Sequence, residues 1–396
     1  MYRNTYVETN VNNIEENLRK IIENYPEYKY YFGVVKSNGY GHSYKVSKYI
    51  VDCGINYLAV SSLEEAIQIR KILKDIPILC LEPISIEFIY ECIKYNVTIT
   101  VHSYEYFKLL LEQDINKKLK IHVKIDSGMS RLGLTDKIDI KKIYDILEKH
   151  DYLELEGIYS HFATSGVNDG EWDKQMTNFL ELTANINLKK IPIVHMGKSV
   201  TLLAHEKIPF CNGVRLGAIM YGYNQLPKLG TGIKGKLREL RRNYFSKKYN
   251  ISPTTTDIPF TVKPAFSLYS EVIQVKKIKT GTKVGYGATY TAKEDTYVAV
   301  IPVGYSDGYR RGNRHSYVII NTKKYPIIGD ICMGMITVEV DSTVKTYDRV
   351  TLIGEGISVK EVATHLNTTS MEVICMVDNS IPRVLIKDNK LVDIDE

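Results

Sequence analysis

Hydrophobic positions in the first 220 or so residues fall into short runs separated by stretches of helical spacing. The runs are Tyr31–Val35, Tyr57–Val60, Pro77–Leu81, Val97–Val101, Ile121–Ile125, Leu155–Tyr159, Ile191–Val194 and Gly213–Leu216. Each is short and rich in β-branched or aromatic residues, the pattern of a buried strand. Between most of them apolar residues recur three and four apart, as at Leu63, Ala66, Ile67 and Ile69, and again over Ile86–Lys94 and Tyr104–Gln113. A helix precedes the series, with Val11, Ile14, Leu18, Ile21 and Ile22 on one face and Asn10 as its N-cap. Eight strands alternating with helices predict an α/β chain with an N-terminal (β/α)8 TIM-like barrel.

After Tyr223 the pattern changes. Gly230, Gly232, Gly235, a basic run and Ser252-Pro253 predict a connecting segment with a loop or short basic helix near 234–245. From Phe266 onward Val, Ile and Tyr dominate short runs (Leu268–Lys277, Tyr297–Val303, Tyr317–Ile320, Ile336–Val340), with turns at Gly281, Asp307-Gly308 and Gly329-Asp330. Helical spacing is scarce there except over Ser358–Leu366. The expected organisation is a barrel over 8–224, a basic insertion over 225–260, and a mainly-β domain over 261–388 with which residues 1–7 pack.

Charge changes this picture little. The chain of 396 residues has a net charge of +6 and is 44% hydrophobic. The stretch Lys228–Lys248 carries eight Lys/Arg against Glu239, or +7, so the remainder is close to neutral. A general nucleic-acid surface is not implied, and the run reads as a solvated face, with anchoring to an acidic surface the lesser alternative. Six scattered cysteines without a CxxC pair fit free thiols in a reducing compartment. Neither a signal peptide nor a membrane span is evident, so the expectation is a soluble cytoplasmic protein with no membrane partner and no metal.

Candidate chemistry gathers at the strand ends, where barrels of this kind carry it. Lys36 closes the first apolar run, and an amine in apolar surroundings becomes available as nucleophile or base. Lys124 sits within an apolar strand, and Arg131 follows a glycine turn. His161 ends another strand. His195-Met196-Gly197-Lys198-Ser199 offers an imidazole and a hydroxyl where backbone amides can hold phosphate. Arg215 is followed by Gly217, which permits close backbone approach.

Six segments in order resemble the alanine racemase family. They are Val34-Val35-Lys36-Ser37-Asn38-Gly39-Tyr40-Gly41-His42, Lys124-Ile125-Asp126-Ser127-Gly128-Met129-Ser130-Arg131-Leu132-Gly133, Val214-Arg215-Leu216-Gly217, Val284-Gly285-Tyr286-Gly287-Ala288-Thr289-Tyr290, Gly304-Tyr305-Ser306-Asp307-Gly308-Tyr309 and Ile331-Cys332-Met333. The resemblance implies pyridoxal 5′-phosphate (PLP), a barrel-plus-β-domain fold, a homodimer with shared active sites, and L-/D-alanine interconversion supplying D-amino acids for peptidoglycan. It further implies that Lys36 holds PLP as a Schiff base and serves as one acid/base. Tyr286 of the partner subunit is then the other, on the opposite face. A phenol ordinarily titrates near 10, and His161, backed by Arg215, is the implied helper. Arg215 would face the pyridine nitrogen, and Arg131 the phenolic oxygen and substrate. Tyr40, Ser199, Gly217 and Ala218 would hold the phosphate, Lys124 would be a carbamylation site, and Met333 would lie near the substrate carboxylate.

Three sites, four residues in all, depart from the family pattern. Lys198 stands where Asn is common, Gly334-Met335 where Asp-Gln is common, and Asn379 in place of a tyrosine beside the phosphate. The last resembles the racemase domains of vancomycin-resistance serine racemases and raises serine as a second substrate. A racemase of another small or larger amino acid and a non-catalytic PLP-binding protein are the alternatives.

Overall fold

The computed structural model describes residues 2–395 apart from 168, 227–231, 250–253 and 256–257. Lys228 and Gly230 of the basic segment, and Ser252-Pro253, thus lie outside the described residues. The chain forms two compact units. One comprises Glu15–Lys36 and Ser47–Lys263, the other Met1–Ile14, Ser37–Val46 and Pro264–Glu396.

The first unit is a closed barrel of eight parallel strands. They are Tyr30–Val34, Tyr57–Val60, Ile78–Cys80, Val97–Val101, Leu119–Lys124, Leu153–Tyr159, Ile193–Lys198 and Gly213–Leu216. The last closes on the first, with Phe32 opposite Arg215. Strands buried on both faces explain the continuous apolar runs. Helices follow most strands, with caps that the sequence supplies: Ser62, Ser103 and Asp136 accept from N–H groups of the first turn. Asn10 does the same for the helix Val11–Asn24, its Oδ1 accepting the Asn13 N–H.

The barrel interior is aromatic and polar. Phe32 stacks on Tyr57 and on His195, each at 4.5 Å between ring centroids, and Tyr159 stacks on His195 at 4.7 Å. Gly157 makes this possible, because a Cβ there would stand 2.5 Å from the His122 ring. The helix Gly232–Tyr249 also belongs to this unit and is longer than the short helix expected. Among the described residues no helix is long and apolar enough to cross a membrane.

The second unit is built on a ten-stranded sheet. Its order is Gln274–Ile278, Thr296–Ile301, Ile336–Val340, Lys323–Ile328, Tyr317–Ile320, Arg349–Ile353, Phe266–Glu271, Tyr6–Asn10, Arg383–Lys387 and Lys390–Asp395. Pairing is antiparallel except between Tyr6–Asn10 and Arg383–Lys387. The apolar run Leu268–Lys277, one element by pattern, is two strands, broken at Val272-Ile273. Helices Val359–His365 and Ser370–Cys375 pack together, the first with a Ser358/Glu361 capping box.

Candidate active site

Lys36 follows the first barrel strand, whose extension is held by the Val35 N–H on the Ala59 carbonyl. The chain then makes a left-handed turn. Ser37, Asn38, Gly39 and Tyr40 have φ between 52° and 59°. Asn38 and Gly39 tolerate this region, but left-handed backbone costs Ser37 and Tyr40 about 1–2 kcal/mol each. The second unit holds the turn in place. Asn38 Oδ1 accepts the Tyr44 N–H (2.8 Å), the Ser37 carbonyl accepts from Gly41, and buried Arg383 donates from Nε to the Gly41 carbonyl. The same guanidinium donates to the carbonyls of Val377, Asp378 and Ile381. It thereby fixes the segment bearing Asn379, whose Oδ1 accepts from Asn38 Nδ2 at 3.3 Å. Tyr40 is half-buried, and desolvation pushes its phenol up to about 12, keeping it a neutral donor.

At the mouth of the barrel, Arg215 is 3% exposed and has no carboxylate partner among the described residues. Its Nη2 donates to His161 Nδ1 (3.0 Å) and the Ser160 carbonyl, and its Nη1 to His195 Nδ1 (2.6 Å). A guanidinium cannot accept, so both imidazoles carry their proton on Nε2. His195 Nε2 donates to His122 Nδ1 (2.9 Å), and His122 Nε2 to Glu156 (3.2 Å). Glu156 also accepts from Lys120 (2.6 Å) and the Tyr57 hydroxyl (2.5 Å). Burial opposes ionisation of Glu156, yet these donors hold it below the usual carboxylate range. Burial and then the Arg215 charge drive His161 and His195 well below the usual imidazole range, so both stay neutral.

Lys124 points inward and is 6% exposed. Its ammonium lies 4.4 Å from the Tyr159 ring centroid, and desolvation, then Arg215 and Arg131, bring it down to about 7. Arg131 is exposed, at the end of a turn in which Asp126 accepts the N–H groups of residues 128–131. Lys198 donates to the Phe162 carbonyl and is lowered by burial and by Arg215. Ser199 Oγ accepts the Gly217 N–H (3.0 Å), and Ala218 is buried next to it in sequence.

In the second unit Gly285, Tyr286, Cys332, Met333, Gly334 and Met335 line an open depression of about 530 Å³. Tyr286 is 73% and Met333 62% exposed in the single chain.

The alanine racemase N-terminal domain matches residues 9–225, and the C-terminal domain matches 265–385. The chain belongs to the alanine racemase family. It is 34% identical to the alanine racemase of Halalkalibacterium halodurans, covering 99% of this chain and 98% of that protein. Alanine racemase 1 of Bacillus subtilis is 33% identical, covering 99% and 96%. The crystal structure of Bacillus anthracis alanine racemase with bound L-Ala-P superposes with a TM-score of 0.87 at 32% identity, covering 100% of this chain and 98% of that one. The chain is therefore an amino-acid racemase of the alanine racemase type.

Alanine racemases use PLP, and the donor set here fits it. Lys36, Lys124, Arg131, Lys198 and Arg215 belong to the barrel unit, and Asp126 is occupied by backbone amides. Arg215 and Arg131 both act on Lys124 and on Lys198, so these four cations together suit an anionic, phosphorylated ligand. Lys124 stands out in the sequence, whereas Lys120, His122, Glu156 and Tyr57 do not, and His195 has no evident task there. One signal was present: Lys120, His122 and Lys124 alternate with Ile121, Val123 and Ile125, which puts all three on one strand face.

Proposed function

We propose that this racemase interconverts L- and D-alanine by two-base proton transfer, with Lys36 on one face of the substrate and the partner subunit's Tyr286 on the other. Racemisation needs a proton to leave one face of Cα and arrive on the other, so a base on each side is required. Bound at Lys36, PLP supplies an electron-withdrawing system that acidifies the substrate Cα–H. Lys36 Nζ takes or returns the proton on its face. The Tyr286 hydroxyl does so on the other.

The observation that carries this reading is the fixed protonation pattern around Arg215. His161 is held neutral with its proton on Nε2, and that N–H would donate to the Tyr286 phenolate and stabilise it. Burial lowers Arg215 only to about 10, so it keeps its charge near neutral pH. Facing the ring nitrogen, it would disfavour protonation there and favour proton return to Cα over side reactions. Tyr40, Ser199, Gly217 and Ala218 would bind the phosphate. Arg131 would meet the phenolic oxygen and the substrate carboxylate, with Met333 of the partner subunit beside it. Lys124, neutral in part near pH 7, is nucleophilic enough to take up CO2 as a carbamate and would then brace Arg131.

The high exposure of Tyr286 and Met333 supports a homodimer in which each chain completes the other's site, because a catalytic phenol works best shielded from water. D-Alanine for peptidoglycan is the expected use of the product. Serine is the second substrate proposed, because Asn379 replaces a bulky phenol with a short amide. Its Oδ1 is engaged by Asn38, which leaves Nδ2 to donate to a substrate hydroxyl. Chiral chromatography of PLP-loaded protein with L-Ala and L-Ser tests both substrates. Absence of D-alanine would overturn the main reading, and a serine kcat/KM below about one hundredth of that for alanine would remove the second, since a hydroxyl-binding group should contribute more than that.

A further inference from the structure

We propose that the helix Gly232–Tyr249 is a docking surface for an anionic lipid bilayer. It lies between the two stretches that match the family domains, so the family chemistry does not account for it. Its sequence holds seven Lys/Arg and one acid, Glu239, giving +6 over 18 residues. Leu237, Leu240 and Tyr244 are 59%, 65% and 60% exposed. Spaced three and four apart, they form one apolar stripe along the helix.

The cations are arranged around that stripe. At 3.6 residues per turn, Lys236 and Lys247 border one side of it, and Arg241 and Lys248 the other. All four are exposed. Glu239 falls on a different face. Such an arrangement suits the boundary between headgroups and acyl chains: leucines enter the apolar layer while Lys and Arg stems rise to the headgroup phosphates. A nucleic acid would satisfy the cations but leave two leucines in water. A second copy of the helix would bring the same charge to the contact and be repelled.

The test is co-sedimentation of the full-length, PLP-loaded protein with vesicles of phosphatidylcholine, alone or with about one third phosphatidylglycerol. Binding is expected only to the anionic vesicles and should fall with added salt. The variant L237A/L240A keeps every charge and should weaken binding about ten-fold or more, with racemase activity unchanged. The variant R241E/K248E should weaken it about five-fold per charge. Equal sedimentation with neutral vesicles, or none with anionic ones, would overturn the proposal. So would undiminished binding by L237A/L240A, or equally tight binding of duplex DNA that survives that variant; either would mark a polyanion site. A smaller assembly for L237A/L240A without vesicles would mark a subunit contact and overturn it as well.

Discussion

Arg215 Nη1 lies 2.6 Å from His195 Nδ1, and that single contact sets the direction of every hydrogen bond behind it. Because the guanidinium can only donate, the protons of His195 and His122 are driven onto Nε2, and the chain ends on the Glu156 carboxylate. Arg215 is thus pinned from within the barrel. Replacing His195 with Leu removes an acceptor from a buried cation, which costs about 1–3 kcal/mol. Thermal melts of H195L should show that loss. If Arg215 faces the cofactor as proposed, racemisation should fall as well, with a changed absorption spectrum of the bound cofactor, since the guanidinium is no longer held in place.

In the proposed mechanism Arg215 is the group that separates racemisation from competing chemistry. In R215E the fixed cation gives way to a group that can share a proton with the ring nitrogen. Racemase kcat should drop by at least about a hundredfold, as expected when a preorganised charge is lost. A slow transamination should appear, read as pyruvate formed from alanine. Full racemase activity in R215E would remove the role assigned to this residue.

Lys124 gives a pH signature. Its amine is held near 7 in the folded protein against about 10.4 in a free chain. Between those values the unfolded state binds more protons, so stability rises with pH through this window. Below pH 7 both states are protonated, and the buried charge weighs fully on the fold. In CO2-free buffer the melting temperature should therefore climb from pH 6.5 to 9.5 by more in the native protein than in K124M. Bicarbonate labelled with 13C should add a carbamate signal that K124M lacks. A native protein and K124M with the same pH dependence and no such signal would exclude both statements.

Much of this was legible beforehand, for identifiable reasons. Barrel strands such as Val97–Val101 and Gly213–Leu216 are buried on both faces, so their apolar runs match the observed bounds. Lys390–Asp395 carries charged, exposed residues and left no such run, and in Lys323–Ile328 a proline interrupts the run after two lysines. Gly232 and Gly235 left a loop and a short basic helix near 234–245 equally open, whereas the helix runs from Gly232 to Tyr249. The relay from Arg215 to Glu156 was invisible because its members come from four separate strands, and only closure of the barrel brings them together. The left-handed turn was only partly marked: Asn38-Gly39 is a common positive-φ pair, but Ser37 and Tyr40 carry no such sign.

Asn379 should set the balance between alanine and serine. N379Y restores the ring common in the family and removes the amide donor. The ratio of kcat/KM for serine to that for alanine should fall by about ten-fold or more, the scale of one lost hydrogen bond in a pocket. Steady-state rates with both substrates measure it. An unchanged ratio would show that Asn379 does not select the substrate.

The turn after Lys36 joins stability to position, and Gly41 is where the two are most exposed to change. Its φ is +76°, and a Cβ there would stand 2.5 Å from the Ile374 carbonyl oxygen. G41A must therefore shift either the turn or the helix Ser370–Cys375. Strain and clash together should cost about 2 kcal/mol or more, lowering the denaturation midpoint. Ser37 offers the opposite case. It is exposed with φ 53°, and glycine adopts that conformation freely. S37G should relieve about 1 kcal/mol of left-handed strain, partly offset by a more flexible unfolded chain. The same relaxation lets Lys36 wander, so racemase kcat should fall while the folded state holds or gains stability. A variant that gains stability with full activity would show that the strained turn does not position the lysine.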